Sequence, residues 1–263
     1  MKIISVVSAK GGVGKTTISA HLCLALRSQG RTVVALDLDP QNSLQLHFGI
    51  SPSYDEGVAL SSLARRKWSE VLVQSNTGCA VLPFGQVSEI ERAAFESALS
   101  HDANLLNQQL NLLNLPTDAI VIIDTPPGPS AYLKQALSLA NIAIVVTLAD
   151  AASYATIPMI DRLIEQYCLT RTNFIDHLYV INQLNRSRQL ASDVADIMAA
   201  QFSSKKIAIV HQDQSIPEAL ACNQDAIEYA PESKGAHDLV DFAMMIKPIL
   251  DGKKYSRQNG NKL

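Results

Sequence analysis

The chain has 263 residues, of which 47% are hydrophobic and 18% are charged, and its formal net charge is -3. This composition excludes a disordered or fibrous protein, and the length suffices for a large hydrophobic core. Basic residues do not outnumber acidic ones, which argues against a protein that binds nucleic acid over a broad surface.

Short runs rich in β-branched residues alternate with helical patterns along the chain. Several runs are apolar on both faces, which is typical of parallel strands covered by helices on both sides. The predicted strands are residues 3–7, 32–36, 80–82, 119–123, 142–146, 178–181 and 207–210. We therefore predict an α/β fold with a mostly parallel twisted sheet of about seven to eight strands and helices on both faces.

Helices are expected between these strands. The first has Ile18, Leu22 and Leu26 at four-residue spacing and should end near Gly30. Pro158 should kink or shorten the helix that contains it. The other expected helical segments are residues 88–115, 153–168, 188–202 and 234–250.

The absence of a linker and the spacing of the cysteines predict the domain organisation and the cellular compartment. No Pro-, Gly- or Ser-rich linker is visible, so we predict one domain over residues 1–250 and a polar, flexible tail over residues 251–263. No apolar run reaches the length of a membrane span, and no cleaved signal peptide is expected. The four cysteines form no C-x-x-C pair, which predicts buried, reduced thiols in a cytoplasmic protein. They are Cys23, Cys79, Cys168 and Cys222.

A glycine-rich loop, Lys10–Thr17 with the sequence KGGVGKTT, follows the first strand and opens the first helix. Its glycines let the backbone turn several N–H groups toward one anion, which predicts a phosphate loop and a P-loop NTPase fold. Lys15 should contact the β and γ phosphates, Thr16 should ligate Mg²⁺, and Thr17 should bind an inner phosphate. Ala9 stands where the general pattern has its first glycine. The predicted nucleotide-binding residues of the loop are Gly11, Gly12, Val13, Gly14, Lys15, Thr16 and Thr17.

Carboxylates follow two of the predicted strands. Asp37 and Asp39 end the second strand, and Asp124 ends the most apolar one. Ligands of open α/β sheets lie at the carboxyl ends of the strands, so these groups are expected to hold Mg²⁺ and to orient an attacking water. Asp124 is typical of a Walker B carboxylate, and we predict Thr16, Asp37 and Asp124 as the metal site. Alternatively, Asp37 or Asp39 caps a helix or turn before Pro40.

The KGGVGKTT segment resembles the deviant Walker A motif of the MinD/ParA ATPases. The resemblance implies an ATP-dependent homodimer that holds ATP and Mg²⁺, with Lys10 reaching the nucleotide of the partner subunit. LDLDPQ at residues 36–41 is similar to the switch I segment of that family, which implies that Asp39 positions the hydrolytic water and Asp37 supports the metal site. The predicted catalytic residues are Lys10, Lys15 and Asp39, and a solvated surface position is the alternative for Lys10.

The same resemblance extends to three other segments. TPPG after Asp124 looks like switch II, where Gly128 is expected to offer its N–H to the γ phosphate. Asn182 matches an adenine-reading asparagine at a strand end, although an ordinary turn residue is the alternative. The segment SIPEAL resembles the second base-contacting loop of the family and adds Pro217 and Glu218 to the predicted nucleotide contacts. Preference for adenine rests on the family.

Residues 79–89, CAVLPFGQVSE, resemble the BcsQ proteins, a MinD-like family of bacterial cellulose secretion operons. This resemblance implies a slow ATPase, dependent on a partner or on dimerisation, that assists assembly or localisation of a cellulose synthase complex. It would be cytoplasmic, recruited to the inner face of the plasma membrane or a cell pole, with a small BcsR-type partner.

Two alternatives stay within the same ATPase family. A ParA-like partitioning ATPase would bind DNA through basic residues, for which the candidates are Arg65, Arg66, Lys67, Lys205 and Lys206. Such runs are more often solvated, so DNA binding is not expected. A MinD-like division regulator would carry an amphipathic C-terminal helix, but the tail is basic without apolar anchors, which favours indirect membrane contact. A metabolic P-loop kinase would need an arginine-rich lid, which the sequence lacks.

Overall fold

The computed structural model describes residues 1–202 and 207–252. Within them, eight strands form one sheet in the order β3-β4-β2-β5-β1-β6-β7-β8. All neighbouring strands are parallel except β3 and β4, which pair antiparallel. The strands are β1 Lys2–Val7, β2 Val33–Asp37, β3 Val73–Gln74, β4 Ala80–Leu82, β5 Ile120–Asp124, β6 Ile142–Leu148, β7 Asp176–Leu184 and β8 Ile207–His211.

Helices connect the strands and cover both faces of the sheet. The α-helices are α1 Lys15–Ser28, α2 Val58–Leu63, α3 Glu89–His101, α4 Leu105–Leu112, α5 Ala131–Leu139, α6 Ala151–Ile164, α7 Gln189–Phe202, α8 Ser215–Ala221, α9 Ala226–Tyr229 and α10 Lys234–Leu250. Shorter helical segments are the 3₁₀ helices Leu44–Phe48 and Trp68–Glu70 and the π-helical turn Glu165–Leu169.

The central strand β1 pairs with β5 on one edge and with β6 on the other. Helices cover both of its faces. Ile4 pairs in register with Ile122 of β5 and Ile142 of β6. Helices α1 and α10 pack on one face through residues such as Ile18 and Phe242. Helices α3 to α7 cover the other face. The parallel pairing brings the carboxyl ends of the seven parallel strands, together with the loops that follow them, to one edge of the sheet.

The predicted mostly parallel sheet is confirmed, since all seven predicted runs form strands. Strand β3 was not predicted, because two residues at an antiparallel edge leave no periodic signal. Helix α5 was also missed. Pro158 lies inside α6, but the helix continues to Ile164, so the proline does not end it. A π-helical turn, Glu165–Leu169, follows directly after α6.

Three of the four cysteines are buried, as predicted, but Cys222 is exposed. It was wrongly expected to be buried, because it follows the short helix α8 at the surface. All four are free thiols. Helix α10 ends at Leu250, and Asp251 forms an ion pair with Arg31. Residues 253–263 of the predicted tail lie outside the described residues, so the domain boundary stays a prediction. In the part of the chain that is described, no helix combines the length and apolarity needed to cross a bilayer.

Candidate nucleotide site

The phosphate loop connects β1 to α1 and owes its shape to two glycines in the left-handed region. Gly12 has φ 74° and Gly14 has φ 85°. A Cβ on Gly14 would lie 2.2 Å from Nδ2 of Asn182, so backbone conformation and lack of space both require glycine here. Helix α1 has no side-chain cap and no acidic residue in its first turn. Its N-terminal N–H groups and dipole therefore favour an anion at this point.

Lys15 begins α1 and is almost fully buried, with 6% of its surface exposed. Burial lowers the pKa of its ammonium group, while the charges of Asp124 and Asp39 oppose that shift. The lysine therefore lies beside the carboxylates that the sequence predicted at the strand ends. A buried cation with so little water around it is suited to neutralising phosphate charge.

Asp124 ends β5 directly beneath the first turn of α1. Its two carboxylate oxygens accept hydrogen bonds from Thr16 Oγ1 at 2.7 Å and from Ser19 Oγ at 2.9 Å. Burial raises the pKa of Asp124 to about 6, although the hydrogen bond from Thr16 and the charge of Lys15 work against this increase. The structure thus brings together two of the three predicted metal ligands. Ser19 was missed, although its position one helical turn after Thr16 was a signal in the sequence.

Oxygen ligands next to a phosphate loop are the donors that Mg²⁺ prefers. Mg²⁺ usually takes one or two protein ligands and completes its shell with water and phosphate oxygens, so Thr16 and Asp124 fit it. Among residues 1–202 and 207–252 no cluster of three or more His, Cys, Asp or Glu side chains could hold a metal by itself.

Asp37 lies opposite Asp124 in the register of β2 and β5 and is fully buried. Its oxygens accept hydrogen bonds from the backbone N–H groups of Asp39 at 2.9 Å and Leu44 at 3.0 Å. Burial, followed by the charge of Asp124, raises the pKa of Asp37 well above its ordinary value. Asp37 therefore anchors the segment after β2. This is the alternative role considered above, in which one of the two aspartates caps the turn before Pro40. A direct role at the metal stays a prediction.

Asp39 is half-buried and follows β2 by two residues. Its Oδ1 accepts a hydrogen bond from the backbone N–H of Gln41 at 3.0 Å, which closes a tight turn. The residue lies close enough to Lys15 to influence the pKa of that lysine. The structure thus places Asp39 at the phosphate loop, on a turn fixed at its start by Asp37.

Lys10 is exposed on the outer side of the loop. Its Nζ lies 3.5 Å from Oδ2 of Asp150, and 44% of its side chain is exposed. Asp150 also caps α6, because its Oδ1 accepts the backbone N–H of Ser153 at 2.8 Å. Burial would raise the pKa of Asp150, but the hydrogen bonds from Ser153 and the charge of Lys10 lower it. Asp150 was not predicted, although it follows β6 at the same edge of the sheet.

Gly128 was expected to offer its backbone N–H to a γ phosphate. In this structure that N–H is donated to the carbonyl of Ser8 at 2.9 Å instead. The Ser8 hydroxyl in turn donates to the carbonyl of Lys10 at 2.8 Å. The loop after β5 is therefore tied to the start of the phosphate loop, and this hydrogen bond would have to break before Gly128 could reach a phosphate.

A cavity of about 250 Å³ opens beside the phosphate loop. Its lining includes the predicted residues Thr17, Asn182 and Pro217. Nδ2 of Asn182 donates to the carbonyl of Val13 at 2.8 Å, so this amide ties β7 to the loop. Glu218 is exposed and is not among the lining residues. The other lining residues are His47, Gln183, His211, Gln212, Asp213, Gln214, Ile216 and Leu220.

A backbone irregularity in β7 shapes one wall of this cavity. Gln183 has φ 54°, and the pairing of β7 with β8 shifts between Ile181 and Leu184. A bulge of this kind re-aims side chains, and a left-handed non-glycine residue stores strain of about 1–3 kcal/mol. Sequence reasoning missed Gln183, because a bulge follows from pairing between distant segments.

Of the basic residues considered for DNA binding, the structure describes Arg65, Arg66 and Lys67. Arg66 forms a 2.7 Å ion pair with Glu56. Arg65 has φ 55°, in the turn that follows α2. Lys205 and Lys206 lie outside the described residues.

Comparison with known proteins gives consistent matches over nearly the whole chain. The sequence profile of the family described as cellulose biosynthesis protein BcsQ matches residues 1–246. The cellulose biosynthesis protein BcsQ of Salmonella typhimurium is 25% identical over 243 residues, which cover 92% of this chain and 93% of that protein.

Two solved structures share the fold. Cobyrinic acid a,c-diamide synthase from Mycobacterium smegmatis, with bound ATP analogue and magnesium, superposes with a TM-score of 0.76 at 22% identity, covering 97% of this chain and 98% of that one. The septum site-determining protein MinD from Pyrococcus horikoshii, complexed with Mg-ADP, gives a TM-score of 0.73 at 25% identity and covers 93% and 95% of the two chains.

Proposed function

The chain belongs to the BcsQ family of cellulose biosynthesis proteins, and we propose that it works as an ATP-dependent dimerisation switch of the MinD/ParA type. The observation that carries the proposal is the 2.7 Å contact between Thr16 and Asp124 below the uncapped start of α1. It puts a hydroxyl and a carboxylate side by side where the phosphates of a nucleotide and its magnesium would lie. The neighbouring structures bound to Mg-ADP or to an ATP analogue with magnesium support the same choice of ligand.

In this proposal the loop residues divide the work of holding a triphosphate. The N–H groups of residues 11–17 surround the phosphates, and Lys15 neutralises the β and γ groups. Thr16 and Asp124 would hold Mg²⁺, which would supply positive charge to the phosphates. Thr17 contacts an inner phosphate. Asn182 and Pro217 then face the nucleoside.

Asp39 and Lys10 take the roles that distinguish a switch from a simple binding protein. Asp39 orients the attacking water, since the turn after β2 places it beside Lys15. Lys10 lies on the face that a second subunit would cover. Its side chain is 44% exposed, so its ammonium group can leave Asp150 for the partner's nucleotide. ATP would thus favour a dimer, and hydrolysis would release it.

The biological role we propose is assembly or localisation of a cellulose synthase complex at the inner face of the plasma membrane. The BcsQ relatives support this role at the level of the family. A small BcsR-type protein and components of the synthase are the proposed partners, and contact with the membrane is proposed to pass through them. Pull-down of the full chain with ATP and with ADP tests this role, and equal recovery of partners in both would contradict it.

Isothermal calorimetry of the full chain with Mg·ADP and with a non-hydrolysable Mg·ATP analogue tests the proposal directly. Wild type should bind both, and Lys15→Ala should lose binding. Lys134→Ala is the matched control, because Lys134 is an exposed lysine on α5, away from the loop. Absence of binding by wild type would overturn the proposed function. A filter assay with DNA at low salt tests the partitioning alternative, because nonspecific DNA binding is strongest there.

A further inference from the structure

One wall of the cavity beside the phosphate loop comes from the segment that follows β2. His47 lines this cavity together with Thr17 and Asn182. It lies in the 3₁₀ helix Leu44–Phe48, whose first N–H is held by Asp37 at 3.0 Å. The cavity is therefore closed on this side by the same segment that carries Asp39.

The ring of His47 has a fixed place because it packs against a second histidine. The ring centroids of His47 and His21 are 5.9 Å apart, with an edge-on angle of 76°. His21 is buried in α1, and its Nδ1 lies 2.8 Å from the carbonyl of Thr17. Nε2 of His21 lies 3.6 Å from Oδ1 of Asp225. Helix α1, which begins at the phosphate loop, thus positions the ring of His47.

His47 is uncharged at neutral pH. Burial, followed by the nearby ring of His21, lowers the pKa of His47 to about 3. A neutral imidazole offers one donor, one acceptor and a flat apolar face. Such a group gains little from a phosphate, which prefers a cation, but it suits the uncharged base or ribose of a nucleotide.

A second histidine lines the same cavity and is also held firmly. Nδ1 of His211 lies 2.7 Å from Oδ2 of Asp238, which also accepts the backbone N–H of His211 at 2.8 Å. Asp238 is nearly buried and forms a 3.0 Å ion pair with Lys234. With the Asp238 contact occupying Nδ1, only Nε2 of His211 remains for a ligand. The cavity therefore presents ring nitrogens and side-chain amides, which match the hydrogen-bonding edges of a nucleoside.

We propose that His47 contacts the nucleoside of the bound nucleotide and contributes to affinity for the nucleoside but not for the phosphates. This inference rests on the proposed function and adds a residue that neither the family resemblance nor the sequence pattern assigned. Its direct consequence is a difference between ligands. ADP fills both the loop and the cavity, whereas pyrophosphate fills only the loop.

Calorimetry of the full chain with Mg·ADP and with Mg·pyrophosphate tests the proposal. His47→Ala should weaken binding of ADP about ten-fold, which is the effect of one lost favourable contact, and should leave pyrophosphate binding within about two-fold of wild type. His101→Ala is the matched control, because His101 is an exposed histidine at the end of α3. It should change neither affinity. An equal loss for both ligands, or no loss for either, would overturn the inference.

The same measurements separate the two proposals. If wild type binds neither ligand, the proposed function fails. If wild type binds both and His47→Ala keeps the wild-type ratio of the two affinities, only the role of His47 fails. The nucleotide-free melting temperature of each variant is measured first. Should His47→Ala melt well below wild type, His47→Gln is used with the same criterion, since it keeps a polar side chain of similar length.

Discussion

Lys10 and Asp150 form an ion pair within one subunit, with Nζ and Oδ2 3.5 Å apart. The lysine that we propose to serve a partner subunit is therefore engaged by its own chain before a dimer forms. Both groups are about 40% exposed, so the pair is weak and can be exchanged for a better partner at little cost. The ion pair thus holds Lys10 in place in the monomer without preventing its side chain from moving to the partner subunit.

Asp150→Asn should strengthen the ATP-dependent dimer by removing this competing partner. Asparagine keeps the cap of α6, and an exposed ion pair contributes only about 0.2–1 kcal/mol, so two released lysines should lower the dimer Kd about two- to thirty-fold. Analytical ultracentrifugation with a non-hydrolysable ATP analogue measures the change. Asp118→Asn, at an exposed position before β5, is the control. A weaker dimer would instead show that Asp150 contacts the partner.

Asp39→Ala should bind ATP normally but hydrolyse it about 100-fold more slowly or worse, because the attacking water loses its orienting carboxylate. The ATP dimer should then persist. Size-exclusion chromatography with light scattering and a phosphate-release assay measure the two effects, with Asp241→Ala on the exposed side of α10 as the control. If Asp39→Ala is only monomeric with ATP, loss of Asp39 does not make the ATP dimer persist and the prediction is wrong.

Gly14→Ala should abolish nucleotide binding. The new Cβ would meet Asn182 Nδ2 at 2.2 Å and would occupy a backbone with φ 85°. Gly30→Ala is a matched control, because Gly30 has φ 82° but no atom within 4 Å of the added Cβ. The control should lose about 1–2 kcal/mol of stability from the left-handed backbone and keep nucleotide binding. Equal nucleotide affinities for the two variants would show that the close approach to Asn182 is unimportant.

The packed pair of His21 and His47 predicts a pH dependence of the nucleotide-free protein. The pKa of His47 is lowered to about 3, mainly by burial, and burial also lowers the pKa of His21. Both rings take up protons in the unfolded chain near their ordinary pKa of about 6.5, so unfolding binds protons in acid. The contribution of the two histidines to stability should therefore be fully present above pH 6.5 and fall as the pH drops below it. The raised pKa values of Asp37 and Asp124 act in the opposite direction, so the histidine contribution is read from the difference between wild type and a histidine variant.

Chemical denaturation of wild type and His47→Gln between pH 7 and pH 5 isolates the contribution of His47, which should be about 1 kcal/mol or more. His47→Gln should reduce the slope, whereas His101→Ala should leave it unchanged. Equal pH dependence of stability for wild type and His47→Gln would contradict the neutral state of His47.

Local sequence signals predicted the parts of the site that lie within one strand-to-loop junction. The glycine spacing indicated the phosphate loop, and an apolar strand that ends in a carboxylate indicated Asp124. Asp150 also follows a predicted strand and was overlooked, whereas His47 and Gln183 could not be found in the same way. Each reaches the site through pairing of distant strands or packing of a short helix, and neither process leaves a periodic pattern near the residue itself.

The exposed thiol of Cys222 makes the native chain convenient for spectroscopy. The other three cysteines are buried, so a maleimide dye should react at this position first. Cys222 directly follows α8, the helix whose Pro217 lines the cavity. A fluorophore there would sit within a few residues of an arriving nucleotide and could report its uptake in real time, without any engineered cysteine.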